Sequence, residues 1–252
     1  MTSVAVLEWL TLAAPLGAQL RDDATGTGVA GGLSVIVYPA GEPERWTAGS
    51  ANGSGIFVFR NLPSLHDADL TPRFPFVLEV RDPRGRYLPF RRNVDLPRRG
   101  VQTFPLFSAA GRAIPDGMSA LRMELHDVGG GPAAWALVEA TAGEQRVMTG
   151  VADADGRVLV PLLYPKPVVT FGSPGIVRRP LTEQEWPVDV TIRYRRRDPI
   201  PNIPDLDDIL SQPPATALLP ASPPAPLTRA TLRFGRELAI PAVLIQPAGS
   251  PP

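Results

Sequence analysis

The sequence contains no cysteine, and this absence excludes one kind of covalent link and one kind of metal site. Without cysteine no disulfide bond can form, and no thiolate can bind zinc or an iron–sulfur cluster. An excess of one charge is also missing, because 25 Lys and Arg residues balance 25 Asp and Glu residues. A neutral chain has no net field to attract nucleic acid or an anionic membrane, so we predict no nucleic-acid partner.

Long apolar runs are absent as well. A membrane-spanning helix needs about 20 apolar residues, and no stretch reaches that length without interruption, so the sequence predicts no membrane span. The segment from Val4 to Leu20 is apolar, but it contains Glu8 and is broken by Pro15 and Gly17. It also lacks the basic residues that open a signal peptide. We therefore expect residues 1–15 to be an uncleaved N-terminal segment.

Histidine occurs only twice, which restricts acid–base, triad and metal chemistry. His66 lies beside Asp67 and Asp69, but no third metal ligand is identifiable, and His126 is expected on the solvated face of a strand. The run Asp153-Ala154-Asp155-Gly156 resembles the opening of a calcium loop, yet the later oxygen ligands of such a loop are missing. We expect a hairpin turn there rather than a metal site.

Catalytic motifs are missing too. Gly129-Gly130-Gly131-Pro132 lacks the Gly-Lys-Ser/Thr of a phosphate loop, no GxSxG elbow occurs, and no pair among the 25 acidic residues is singled out for sugar hydrolysis. The sequence therefore predicts a protein that is not an enzyme, with no catalytic residues, no cofactor and no metal.

Proline and glycine, by contrast, are abundant, at 31 and 23 of 252 residues. Proline is excluded from helix interiors and from central positions of a sheet, so the fold should consist of short strands and many turns. Hydrophobic residues make up 44% of the chain, which is enough for a packed core. We predict an all-β fold of two tandem antiparallel β-sandwich domains followed by a proline-rich extended C-terminal arm.

The first sandwich is expected at residues 16–108. Asn52-Gly53-Ser54-Gly55 and Asp82-Pro83-Arg84-Gly85-Arg86 are typical of turns, because glycine supplies positive φ and Asn and Asp bond to the backbone. The strands predicted here are Leu33–Tyr38, Ile56–Phe59, Phe76–Val80 and the alternating segment from Val94 to Leu96.

The second sandwich is expected at residues 109–198. The segment Leu121–His126 alternates strictly between apolar and polar residues, which is typical of a half-buried strand. The segment Ala134–Glu139 is predicted to be a strand whose Trp135 fills the sandwich interior. Further strands are predicted at Val158–Tyr164 and Val188–Tyr194.

The two blocks share a local echo about 100 residues apart. Ala51–Phe59 and Asp153–Val160 each contain a small polar turn with glycine that leads into an apolar strand. The echo fits either duplication of one sandwich or generic hairpin chemistry.

Residues 199–252 are dominated at first by proline, which favours extended conformations. Only Leu206–Leu210 could form a short helical turn. Two strand-like segments follow, Ala230–Phe234 and Ala239–Ile245, and they either complete a sheet of this chain or add to a neighbouring subunit. Apolar residues of this region are predicted to bind partner subunits: Ile203, Leu206, Leu210, Leu218, Leu219, Phe234, Ile240 and Leu244.

Paired arginines are the most unusual polar feature of the sequence. They occur at Arg91-Arg92, Arg98-Arg99, Arg178-Arg179 and Arg195-Arg196-Arg197. They are either solvated strand ends or partners for acidic patches on other subunits.

The segment from Leu20 to Pro63 resembles a transthyretin-like or carboxypeptidase-regulatory-like repeat. The resemblance lies in Asp22-Asp23-Ala24-Thr25-Gly26, in Ser54-Gly55-Ile56-Phe57-Val58-Phe59 and in Asn61-Leu62-Pro63, and the second block shares only its Asp153–Val158 strand. A wider set of segments is similar to proteins encoded with contractile injection systems, the phage-tail-like particles. These segments are Phe76–Asp82, Gly85–Pro89, Leu106–Ser108, Pro132–Ala136 and Ala152–Val158.

This wider resemblance implies a component of a particle and transfers no site residues. We therefore expect a structural or accessory subunit that binds protein subunits in a homo- or hetero-oligomer. It would act in a cytoplasmic assembly or be released as part of an extracellular particle. The alternative is a stand-alone β-sandwich module that binds carbohydrate or a cell surface through Trp46, Trp186 and Tyr194.

Overall fold

The fold is described by a computed structural model that covers residues 14–60, 62, 74–97, 100–165 and 183–247. These residues lie almost wholly in β-strands and their connections, and the all-β sandwich class predicted from the sequence is confirmed. Some residues named in the sequence predictions lie outside the described ones: His66, Asn61, Pro63, Arg98, Arg99, Arg178, Arg179 and residues 1–13.

The first sandwich consists of two four-stranded sheets that enclose one apolar core. One sheet has the order β4-β5-β1-β8, in which β1 and β8 are parallel, and the other has the order β3-β2-β6-β7. The strands are β1 (Leu16–Asp22), β2 (Ser34–Pro39), β3 (Thr47–Ala48), β4 (Ser50–Ala51), β5 (Ile56–Phe59), β6 (Phe74–Arg81), β7 (Phe90–Leu96) and β8 (Val101–Leu106).

The second sandwich is one curled nine-stranded sheet around a second core. Its main path is β11-β10-β13-β14-β17-β9-β12, with β15 beside β14 and β16 beside β13. The strands are β9 (Met118–Asp127), β10 (Leu137–Ala142), β11 (Met148–Val151), β12 (Arg157–Leu163), β13 (Glu185–Arg193), β14 (Pro214–Leu219), β15 (Ala225–Pro226), β16 (Arg229–Arg233) and β17 (Leu238–Pro247).

The curl brings the two ends of this sheet together. A Cβ on Gly150 in β11 would lie 2.7 Å from the carbonyl oxygen of Leu159 and 2.8 Å from a methyl group of Val160, both in β12. Glycine therefore allows β11 to approach β12 closely although the two strands share no ladder of hydrogen bonds.

The strands of residues 199–252 belong to this chain's own sheet. Strand β16 pairs with β13, β14 pairs with β13 and β17, and β17 runs parallel to β9. Val243 and Ile245 of β17 are fully buried in the second core. The C-terminal strands thus complete a sheet of this chain, which is one of the two alternatives that the sequence left open. The domain boundaries themselves stay a prediction.

The sequence echo corresponds to one turn geometry that occurs four times among the described residues, at Asn52, Asp82, Asp127 and Asp153. Oδ1 of Asn52 accepts the backbone N–H groups of Ser54 and Ile56, and Oδ1 of Asp153 accepts those of Asp155 and Arg157. The carboxylate of Asp82 accepts the equivalent two N–H groups in the β6–β7 connection, outside the echo. Because the pattern recurs there, and because the two sandwiches differ in strand order, generic turn chemistry accounts for the echo.

Candidate functional site: the joint and the clasp between the sandwiches

A buried ion pair holds the connection between β8 and β9 against β1. The guanidinium of Arg112 donates to both carboxylate oxygens of Asp22, at 3.1 and 2.5 Å, and the side chain of Asp22 is only 3% exposed. Burial opposes ionisation of Asp22, but the hydrogen bonds and the charge of Arg112 outweigh it, so the pKa of Asp22 is below its ordinary value. Tyr87 also donates its hydroxyl to this carboxylate, at 3.1 Å.

Two further arginines of the second sandwich reach the backbone next to this ion pair. Arg146 donates to the carbonyl oxygens of Asp23 and Ala24, just after β1, and Arg122 donates to the carbonyl oxygens of Ala110 and Arg112. Charged donors on carbonyl groups make stronger hydrogen bonds than neutral ones. Arg146 therefore fixes the second sandwich to the first one, and Arg122 fixes the β8–β9 connection to the second sandwich.

The contact between the two sandwiches, here called the joint, also has an apolar part. Trp135, Leu137 and Val151 belong in sequence to the second block, yet their buried side chains pack into the first core. The sequence predicted Trp135 inside its own sandwich and a strand from Ala134. In the structure Trp135 has φ of 61° and β10 begins at Leu137, because this turn directs the indole towards the other sandwich.

Residues 199–213, here called the clasp, lie across this joint. The short helix α1 (Leu206–Leu210), predicted from the sequence, is capped by Asp205, which accepts the N–H groups of Asp207 and Asp208. Leu206 and Ile209 are buried and belong to the first core. Helix α1 thus inserts two aliphatic side chains into the sandwich that is distant from it in sequence.

Gln212 connects the end of the clasp to helix α1 and to the turn at Trp135 by hydrogen bonds. Its amide nitrogen donates to the carbonyl oxygens of Trp135 and Ile209, each at 2.9 Å. Its amide oxygen accepts from the backbone of Arg195 at 2.9 Å. The residue is 2% exposed, so the structure satisfies a buried amide at both ends.

Arginines fasten the clasp from both sandwiches. Arg197, after β13, makes a two-pronged contact with one oxygen of Asp208, at 2.9 and 2.7 Å. Arg92, on β7, pairs with Asp207 at 3.0 Å. The arginine pairs that the sequence left open thus meet acidic residues of this same chain at these two positions.

Two shallow grooves flank the clasp on the first sandwich. One, of about 350 Å³, is lined by Tyr38, Val77, Arg91, Asn93 and Asp205. The other, of about 510 Å³, lies beside Asn202 and Ile203. Both are open to solvent, and their lining residues do not converge on an enclosed polar centre as catalytic groups do.

The eight residues predicted to bind partners have different environments. Leu206 is fully buried in this chain, and Ile203 lines the second groove. Leu210 is 40% exposed on α1. The other five are half-buried in or beside strands of the second sandwich: Leu218, Leu219, Phe234, Ile240 and Leu244. Their part in binding a partner stays a prediction.

The aromatic residues proposed for carbohydrate binding do not share one surface. Trp46 is 57% exposed, whereas Tyr194 is 2% exposed and lies in the second core. Trp186 packs against the ring of Tyr164 at 5.9 Å. Only Trp46 of the three therefore offers an open ring face.

Among the described residues there is no group of three or more His, Asp or Glu side chains that could hold a metal ion. His126 contacts Glu124 at 3.6 Å in β9. None of the helices in the described ranges is long and apolar enough to cross a bilayer.

No family model matches the chain, and no curated protein does so either. Among solved structures, the shaft pilin SpaA from Lactobacillus rhamnosus GG is similar over 94% of this chain and 99% of its own, with 8% identity and a TM-score of 0.28. The TIE protein from Bacillus anthracis has 11% identity and a TM-score of 0.26 over 91% of this chain. The present chain spans about a third of that protein. Likenesses at such TM-scores transfer no function.

Proposed function

We propose that this protein is a non-enzymatic structural subunit that gives a larger assembly a rigid body made of two sandwiches. The observation that carries the proposal is the clasp, which is anchored in both sandwiches by Leu206, Gln212 and Arg197. A structural subunit needs a fixed angle between its two sandwiches. Domains in one chain normally move relative to each other unless such contacts prevent it.

In finer terms we propose a subunit of a contractile injection system or related phage-tail-like particle. The support is the sequence resemblance in the segments Phe76–Asp82, Pro132–Ala136 and Ala152–Val158. The second segment contributes to the joint through Trp135, whereas Ala152 and Val158 of the third segment are buried in the second core. The proposed location is a cytoplasmic assembly, or an extracellular particle once it is released.

The test is sedimentation of the epitope-tagged full chain from its source cells through a density gradient. We expect the chain to sediment with high-mass particles that show a sheath and a tube by negative-stain microscopy. A chain that sediments only as a light species would overturn the proposal. Deletion of residues 199–252 is unsuitable for this test, because it would remove β14, β16 and β17 from the second sandwich.

Carbohydrate binding is a second candidate, favoured by the exposure of Trp46 alone. Aromatic ring faces that are open to solvent are suited to stacking on sugars, and Trp46 lies just before the edge strand β3. A glycan array with the isolated chain tests this candidate. Binding that is lost in Trp46→Ala and kept in Val147→Ala would support it, and an array without signal would remove it.

A further inference from the structure

The groove of about 510 Å³ beside the clasp is assembled from parts that are distant in sequence. The β6–β7 connection forms one wall and the clasp forms the other. The lining residues that matter here are Arg81, Pro83, Tyr87, Pro89, Asn202 and Ile203. The groove therefore has this shape only while the clasp lies on the first sandwich.

The apolar residues that line the groove are already ordered. The hydroxyl of Tyr87 is bonded to Asp22, and the ring lies 4.6 Å from the guanidinium carbon of Arg112. Pro83 and Pro89 line the groove as well, and proline loses little conformational entropy when a ligand binds. Ile203 is half-buried and presents the remaining aliphatic surface. A partner side chain would meet a rigid surface and would not have to order it.

Of the two charged side chains that line the groove, the exposed one is basic. Asp82 lines the groove, but its side chain is 0% exposed and it accepts hydrogen bonds from Arg86 and from the backbone of its own turn. The side chain of Arg81 is 58% exposed, and among the described residues only its Nε has a partner, Glu79 at 2.8 Å. Arg84, in the same turn, is exposed and makes no ion pair with any residue that the structure describes. Arg81 therefore has free donors at the rim.

We propose that this groove binds an extended acidic segment of a neighbouring subunit, with an aliphatic or proline side chain against Ile203 and Pro89 and a carboxylate at Arg81. The inference rests on the proposed function, since it names how such a subunit would hold its neighbour. The open shape suits a chain that crosses the groove, because a small molecule would leave most of its own surface in water. The positive rim selects acidic chains over basic ones.

The experiment is a display selection with a library of random 12-residue peptides against the immobilised full chain. We expect enrichment of peptides in which Asp or Glu lies close to Pro, Leu, Ile or Val. Enrichment of basic peptides, or no enrichment of any kind, would overturn the inference.

Variants locate the binding. For the selected peptides, Ile203→Asp and Arg81→Gln should each weaken affinity at least tenfold, as measured by fluorescence anisotropy. The matched controls are Val147→Asp and Arg229→Gln, since both residues are exposed and lie on the second sandwich. Unchanged melting temperatures would show that the variants are folded.

If the groove variants bind as well as the controls do, the peptides bind elsewhere and the inference is wrong. That result would leave the sedimentation experiment unaffected, so the failure of the groove and the failure of the proposed function can be told apart.

Discussion

Gln212 offers the sharpest test of the clasp, because its side chain is buried and bonded at both ends. In Gln212→Leu the size of the side chain is nearly kept while its hydrogen bonds are lost. The carbonyl oxygens of Trp135 and Ile209 then lose the donor that each has at 2.9 Å. The substitution therefore removes hydrogen bonds from buried carbonyl groups of the joint and opens no large cavity.

The magnitude follows from the two orphaned carbonyl groups. A buried polar group that loses its partner costs about 1–3 kcal/mol, so two of them should lower the free energy of unfolding by at least about 2 kcal/mol. For a chain of this size each kcal/mol shifts the melting temperature by about 2–4 °C. We therefore expect a decrease of at least about 4 °C.

The assay is thermal unfolding followed by the fluorescence of the four tryptophans, one of which is Trp135 next to the clasp. The matched control is Gln145→Leu, because Gln145 lies in the β10–β11 turn and its side chain makes no hydrogen bond among the described residues. We expect the control to stay within about 1 °C of the native protein. A Gln212→Leu melting temperature no lower than that of the control would refute the reasoning.

The other predictions concern the ion pair and one turn. Asp22→Asn should lower stability by about 3–5 kcal/mol at neutral pH in chemical denaturation, because Arg112 stays buried without its partner. The pKa of Asp22 is lowered from its ordinary value of 3.8, so the ion pair stabilises the fold above pH 3.8. This contribution should be lost as the pH falls through the lowered pKa. Asp22→Asn should not show this loss. Gly156→Ala should lower the melting temperature of the protein more than Gly143→Ala does. Both glycines have positive φ, but only at Gly156 would a Cβ overlap the carbonyl oxygen of Leu125. Equal melting temperatures of the two variants would contradict this.

Strands with strong local patterns could be predicted from the sequence. Ile56–Phe59 has the predicted bounds, and Leu121–His126 lies within β9 with the expected alternation of burial. In these segments period-2 alternation and a turn with glycine agree, so local preference and tertiary structure point the same way. The helix at Leu206–Leu210 was predictable for a different reason, since prolines precede and follow it but none lies within it.

The joint could not be predicted, because its contacts connect residues that are far apart in the chain. Trp135 and Gln212 are 77 residues apart, and Asp22 and Arg112 are 90 apart. No pattern within a single segment of the sequence links the two residues of either pair. Hydrophobic periodicity shows only which face of a strand or helix is apolar and does not show which neighbour covers that face. The positive φ of Trp135 was equally hidden, since only tertiary packing maintains it in a residue other than glycine.

Proline content explains why residues 199–252 were expected to be an extended arm. Pro214, Pro226 and Pro247 lie at the ends of strands β14, β15 and β17, where a missing N–H group removes little from the sheet. Proline therefore sets ends of these strands without preventing them, and Pro241, inside β17, lies where the pairing with β9 shifts register.

The same placement explains how one chain can build both a clasp and half of a sandwich. Residues 199–213 cross to the first sandwich, and β14 returns to pair with β13 and β17. Because the chain enters and leaves the clasp at fixed strands of the second sandwich, pulling Leu206 out of the first core would also strain the connection to β14. The angle between the sandwiches is therefore coupled to the integrity of the second one, so a change that loosens the clasp should lower the stability of both.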